Sequence, residues 1–136
     1  MNPPVPSTIN REISDIKDVV GIGNAMVDIL SPADEKFLEE YKLVKGAMTL
    51  IGAQEVINIQ AAMNPEFEIS GGSVGNTMAG IASLGGTGSY IGKVHDDQLG
   101  SIFNQDLESM GISFNTEPSV SGAPTARCLV IVTPDG

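Results

Sequence analysis

The segment that most constrains the fold is Gly71-Gly72-Ser73-Val74-Gly75-Asn76, which runs without a break into the apolar stretch Thr77 to Leu84. Ahead of it, Phe67 and Ile69 alternate with Glu66, Glu68 and Ser70, the two-residue period of a half-buried strand. Behind it, Met78, Ile81, Ala82 and Leu84 fall near helical spacing, and Gly85-Gly86 closes the run. Strand, glycine loop and helix in this order set unpaired helix N–H groups beside a backbone with no Cβ to shield it. Such a loop admits a ligand close to the main chain. Glycine fills 16 of 136 positions, so a glycine pair alone proves little. A purely structural turn before a buried helix is the plain alternative.

The flanking chain narrows the choice. Val19-Val20-Gly21-Ile22-Gly23 reads as a short buried strand. Asn24 and Asp28 then sit four apart, on one turn of a coil or one side of an extended segment. Ser31-Pro32 predicts a helix over residues 33–41, with Ser31 as N-cap. Residues 47–51 are β-like, and residues 53–63 form a helix stopped by Asn64-Pro65. Ser89 to Val94 is a strand; Leu99, Ile102, Phe103, Leu107 and Met110 make the apolar stripe of a helix that ends at Gly111. Residues 112–120 alternate weakly, and Arg127 to Thr133 is strongly β-prone. Strands alternating with helices predict an α/β fold with a largely parallel sheet. The weakly patterned pieces 47–51, 66–70 and 112–120 are expected to form a small separate sheet. Pro134-Asp135-Gly136 is a turn sequence with a strand before it, which reads as a chain cut at the tip of a hairpin.

Composition excludes several classes. A chain of 136 residues holds one ordinary domain. Seven basic residues against 17 acidic give a net charge of −10, and no Lys/Arg cluster marks a nucleic-acid footprint. The single cysteine, Cys128, forms no internal disulfide and reads as a small buried hydrophobe. Residues 1–16, with Pro3, Pro4 and Pro6, are expected to be a flexible lead-in and lack the apolar core of a secretory signal. The longest apolar run, Cys128 to Val132, is far short of the roughly 20 residues of a membrane span. A cytoplasmic protein without nucleic-acid or membrane partners is expected. His95, beside Asp96 and Asp97, reads as part of a solvated loop, and no metal ligands are expected. Gly21 and Gly23 do not continue into a dinucleotide-binding glycine pattern, because Met26 stands where its third glycine belongs.

Three segments in order, VVGIGNAMVDIL, GGSVGNTMAGIASLGG and YIGKVHDDQLG followed by LESMGI, resemble the N-terminal part of ribokinase/PfkB-family carbohydrate kinases. The resemblance runs from about Val19 to Gly136. Asn24 and Ser73 give it an adenosine-kinase-like cast. It implies a ribokinase-like fold, incomplete in this chain: residues 17–136 as an N-terminal fragment of the kinase domain, with pieces 47–51, 66–70 and 112–120 as its β lid. It also implies that Asp28 and Asn76 bind the hydroxyls of a ribose-like substrate, with Gly71 and Gly72 in close backbone contact and Asn24 and Ser73 in support. A carboxylate accepts from two neighbouring hydroxyls, whereas an amide both donates and accepts. The implied reaction of a full-length parent moves the γ-phosphoryl of ATP, with Mg2+, to a ribose hydroxyl of adenosine or a related nucleoside. A ribose- or fructose-type sugar kinase is the nearest alternative, and a non-catalytic module dimerising through lid strands is a more distant one. The family's second signature, which carries the catalytic aspartate, has no counterpart in these residues. The chain alone is therefore expected to be inactive, with no catalytic residue and no strong hold on ATP or Mg2+.

Overall fold

Among the residues that the computed structural model describes, 16–136, helical and strand periods resolve into a mixed α/β order. It runs β1 (Val19–Ile22), β2 (Met26–Pro32), α1 (Glu35–Glu40), α2 (Ala53–Ala62), β3 (Phe67–Gly71), α3 (Ser73–Ser83), β4 (Gly88–Ile91), α4 (Gln98–Ser109) and β5 (Ala126–Val132). The expected lead-in falls, up to residue 15, outside the described residues. No helix described is long and apolar enough to cross a membrane.

Two sheets form. In one, β1 pairs parallel with β4, and β4 gains a further parallel bridge from Ser89 to Ser113. In the other, β2 lies between β3, antiparallel to it, and β5, parallel to it from Met26↔Ala126 to Pro32↔Val132. The residues from Asn24 onward therefore extend rather than turn. The small second sheet differs from the expected one. Of the three pieces foreseen for it, only 66–70 is a strand, and its sheet partners are β2 and β5. Residues 47–51 form no strand and lie in the connection between α1 and α2, with Met48 and Leu50 almost fully exposed. Residues 112–120 run beside the first sheet instead, because Ile112 and Phe114 are drawn into the core.

The first helix also starts later than foreseen. Asp34 is its N-cap, accepting from Phe37 N at 3.1 Å. Ser31 stays in β2, buried, where its hydroxyl accepts from Asn64 N at 3.1 Å. Pro32 suits an extended edge as well as a helix start, so the strand continues until its pairing with β5 runs out. At α4 the cap is Asp97, which accepts from Gly100 N at 2.8 Å.

The core lies between the two sheets and the helices α3 and α4. Tyr90, Phe103 and Phe114 pack with ring centroids 5.3 to 5.6 Å apart. Val27 and Ile29 of β2 enter the same cluster, fully buried, beside Met78, Leu99, Leu107 and Ile112. Val74 and Met78 of α3 press against Gly21 of β1, and Asp106 of α4 accepts from Ser70 N of β3 at 2.6 Å. This arrangement commits one face of β2 to the core and leaves the other face open.

Candidate substrate site

Strand alternation sorts β2 into an inner set, Val27, Ile29 and Ser31, and an outer set, Met26, Asp28 and Leu30. In register, Asp28 stands opposite Ile69 on β3 and Cys128 on β5. A single carboxylate thus sits in an apolar sheet face that also carries the exposed Phe67 and Ile69. The carboxyl leans diagonally over Gly71. A Cβ built on that residue would lie 2.5 Å from Asp28 Cγ and 2.7 Å from Oδ1, so only glycine leaves the carboxyl where it is. Burial alone pushes the Asp28 carboxyl above its ordinary range; no ion pair or hydrogen bond among the described residues pulls it back. Its lone pairs are free to accept.

The loop that follows turns on Gly72, whose φ of 84° and ψ of 151° lie in a region almost reserved for glycine. Its Cα faces the Asn24 carbonyl, 3.1 Å from where a Cβ would stand. Gly72 is also the N-cap of α3, without a side chain to satisfy the first-turn N–H groups. Asn76 N bonds back to Gly72 O at 2.9 Å. Ser73 and Asn76 occupy this first turn with exposed side chains. The structure therefore brings Asp28, Gly71, Gly72 and the Asn24 backbone into contact. It sets Ser73 and Asn76 on the adjoining turn, with no hydrogen bond to Asp28 among the described residues.

Two neighbours were not legible as such in the sequence. Cys128 is half-buried and faces Asp28, and burial together with that carboxylate raises its thiol pKa. Arg127 pairs with Val27 and so belongs to the other face, where its Nη1 donates to Gln60 Oε1 at 2.8 Å. The parity of the two residues depends on which strand they pair with, and local pattern does not carry that.

Chemically, a carboxylate acceptor lies over Gly71, and the α3 turn that follows starts at a glycine with no side-chain cap on its N–H groups. That suits a ligand with adjacent hydroxyls, each able to donate to the carboxylate and accept from an amide. It does not suit a polyphosphate, which Asp28 would repel. No group of three or more metal-ligating side chains converges among the described residues. His95 belongs to a structural network: its N–H donates to Thr125 Oγ1 at 2.9 Å, and that hydroxyl donates to Asp97 Oδ1 at 2.7 Å.

Comparison with known proteins identifies the family and the fold. Residues 47–136 match the family model described as pfkB family carbohydrate kinase. The chain is 26% identical to adenosine kinase 2 of Arabidopsis thaliana over 120 residues, 84% of this chain and 34% of that protein. It is 30% identical to probable fructokinase-6, chloroplastic, of the same plant over 97 residues, 71% of this chain and 25% of that protein. The solved adenosine kinase from Sinorhizobium meliloti superposes with a TM-score of 0.78 at 52% identity, covering 88% of this chain and 37% of that one. The Anopheles gambiae adenosine kinase, in complex with P1,P4-di(adenosine-5) tetraphosphate, superposes at 0.73 with 26% identity, covering 84% and 37%. The chain spans about a third of the length of these relatives. It belongs to the pfkB carbohydrate kinase family, with the ribokinase-like fold of adenosine kinases represented in part.

Proposed function

We propose that this pfkB-family chain forms the substrate-binding part of a kinase that phosphorylates a hydroxyl of a ribose-bearing nucleoside, adenosine or a close relative. The observation that carries the reading is the unpartnered Asp28 carboxylate lying over Gly71, beside the uncapped first turn of α3. Asp28 accepts from two neighbouring ribose hydroxyls. The amides after Gly72 donate to hydroxyl oxygens, and Asn76, with Asn24 and Ser73, completes the polar rim. Apolar neighbours thin the water around the carboxylate and strengthen each of these bonds. The 52% identity to the Sinorhizobium meliloti adenosine kinase supports a nucleoside acceptor. The match to probable fructokinase-6 keeps a free sugar as the second reading. ATP with Mg2+ is the donor implied by the family; no group of three or more metal-ligating side chains converges among the described residues. The chain by itself binds substrate without turning it over.

The test is calorimetric titration of the chain with adenosine, 2′-deoxyadenosine, ribose and fructose. Adenosine binds tightest, and 2′-deoxyadenosine binds at least about tenfold more weakly, because one hydrogen bond to a charged group is lost. Equal binding of the two nucleosides would remove Asp28 from hydroxyl recognition, and fructose binding above adenosine would favour the sugar reading.

A further inference from the structure

The connection from α1 to α2 reaches the end of β5 with little to hold it there. It bends through two left-handed residues, Lys42 with φ 54° and Gly46 with φ 71°. Between Val44 and Ile51 its only main-chain hydrogen bond among the described residues is local, from Ala47 N to Val44 O at 3.1 Å. Apolar burial does not hold it either: Val44, Met48 and Leu50 are 68%, 87% and 93% exposed. The tie is ionic. Lys45 Nζ donates to Glu35 Oε1 of α1 at 2.9 Å and to Asp135 Oδ1, in the turn after β5, at 2.5 Å. Thr133 Oγ1 donates to the same Asp135 oxygen at 2.9 Å, which fixes the carboxylate end of the tie. Hydrogen bonds from Lys45 and then Thr133 hold the Asp135 carboxyl below its ordinary range. Between the segment and the sheet lies a cavity of about 540 Å3, lined by Val44, Met48 and Leu50 of the segment and by Met26, Cys128 and Val130 of the strands. Met26 and Cys128 flank Asp28 on the outer face.

We propose that Lys45 is a positioning residue: its ammonium, shared between Glu35 and Asp135, pins residues 44–51 to the end of β5 and so holds the wall of a cavity beside Asp28. A single exposed ion pair contributes little. Here one ammonium serves two carboxylates, in a segment whose other hydrogen bonding is confined to its own turn, so the position of the segment follows it. Without the pin the segment swings out more often, and a nucleoside seated at Asp28 leaves sooner. That consequence rests on the nucleoside reading; the pin itself does not.

Cys128, the single cysteine of the chain, is half-buried in the cavity lining and reports on the pin. The rate at which neutral iodoacetamide alkylates it in the full chain, at one fixed pH, measures how often the segment opens. Lys45→Met keeps the aliphatic stem and drops the charge, and should speed alkylation about two- to fivefold, the range of an exposed ion pair. The Lys45 side chain is 40% exposed, so circular dichroism should show the variant folded. Lys45→Arg should restore the slow rate. Asp135→Asn added to Lys45→Met should change nothing further. Salt at about 1 M should speed alkylation of the unaltered chain, a test that needs no variant, and leave Lys45→Met as it was. In titrations Lys45→Met should bind adenosine about two- to fivefold more weakly, through faster release. An unaltered chain that binds no nucleoside would defeat the substrate reading and leave the alkylation rates to decide the pin. Alkylation indifferent to Lys45→Met, or a salt response that survives it, overturns the inference.

Discussion

Asp28 pays for its position among Met26, Leu30, Ile69 and Cys128, because each neighbour removes water that would stabilise the charge. Its folded-state pKa is raised. The folded chain therefore holds the Asp28 proton more tightly than the unfolded chain does, and stability from this group rises as pH falls through the raised pKa. Ligand binding has the opposite sign, since hydroxyls donate to the ionised form. Asp28→Asn should weaken adenosine binding by about ten- to a hundredfold while leaving or raising the melting temperature. Calorimetry and thermal unfolding on one preparation check both; a variant that melts lower and binds as before would mean that Asp28 serves packing instead. Gly72 makes a purely conformational case, with a backbone that a Cβ tolerates poorly. Gly72→Ala should cost about 1–3 kcal/mol in urea unfolding.

Elements show where sequence reading succeeds and where it stops. The helices α2, α3 and α4 were legible because apolar period and stop signal coincide, at Asn64-Pro65, at Gly85-Gly86 and at Gly111. Ser31-Pro32 misled because a serine before proline looks alike at a helix start and in a strand; the pairing with β5, a hundred residues away, decides it. The strand at 66–70 was legible from alternation, but its partners were not, since register is a long-range property. Asp97 belongs here too. Read as part of a solvated loop, it instead caps α4 and ties that helix to the start of β5. Burial would raise its pKa, but hydrogen bonds from Thr125 Oγ1, Thr125 N and Gly100 N, with His95 nearby, outweigh burial and lower it. A lowered carboxylate pKa means stability that is present above the unfolded value and is lost as pH falls through the folded one. Asp97→Ala should destabilise by about 1–2 kcal/mol, the usual cost of losing a cap. Urea midpoints measured near neutrality and again in acid should show the gap closing at low pH, and a gap independent of pH would rule out the ionised form.

At the scale of the whole molecule, β2 couples the site to the core. Its inner residues Val27 and Ile29 are fully buried in the core cluster, and its outer residue Asp28 lies on the opposite face, the floor of the proposed site. That position was legible only in outline: the resemblance named Asp28, but only the sheet shows that the carboxylate stands opposite Cys128 and over Gly71. Among the described residues, β2 is paired on both edges along most of its length, whereas β1 is paired on one and leaves Val20 and Ile22 exposed. The two strands should therefore differ sharply in local stability, because exchange protection follows hydrogen bonding and burial. In hydrogen exchange of the chain alone, the amides of Val27 and Ile29 should open only with the whole domain, while those of Val20 and Ile22 exchange close to the unprotected rate. Saturating adenosine should slow β2 and β3 and leave β1 unchanged, since the proposed site lies on the Asp28 face alone. Matching protection in β1 and β2 without ligand would mean that the edge is already covered in the free chain, and slowing in β1 alone would move the ligand off Asp28.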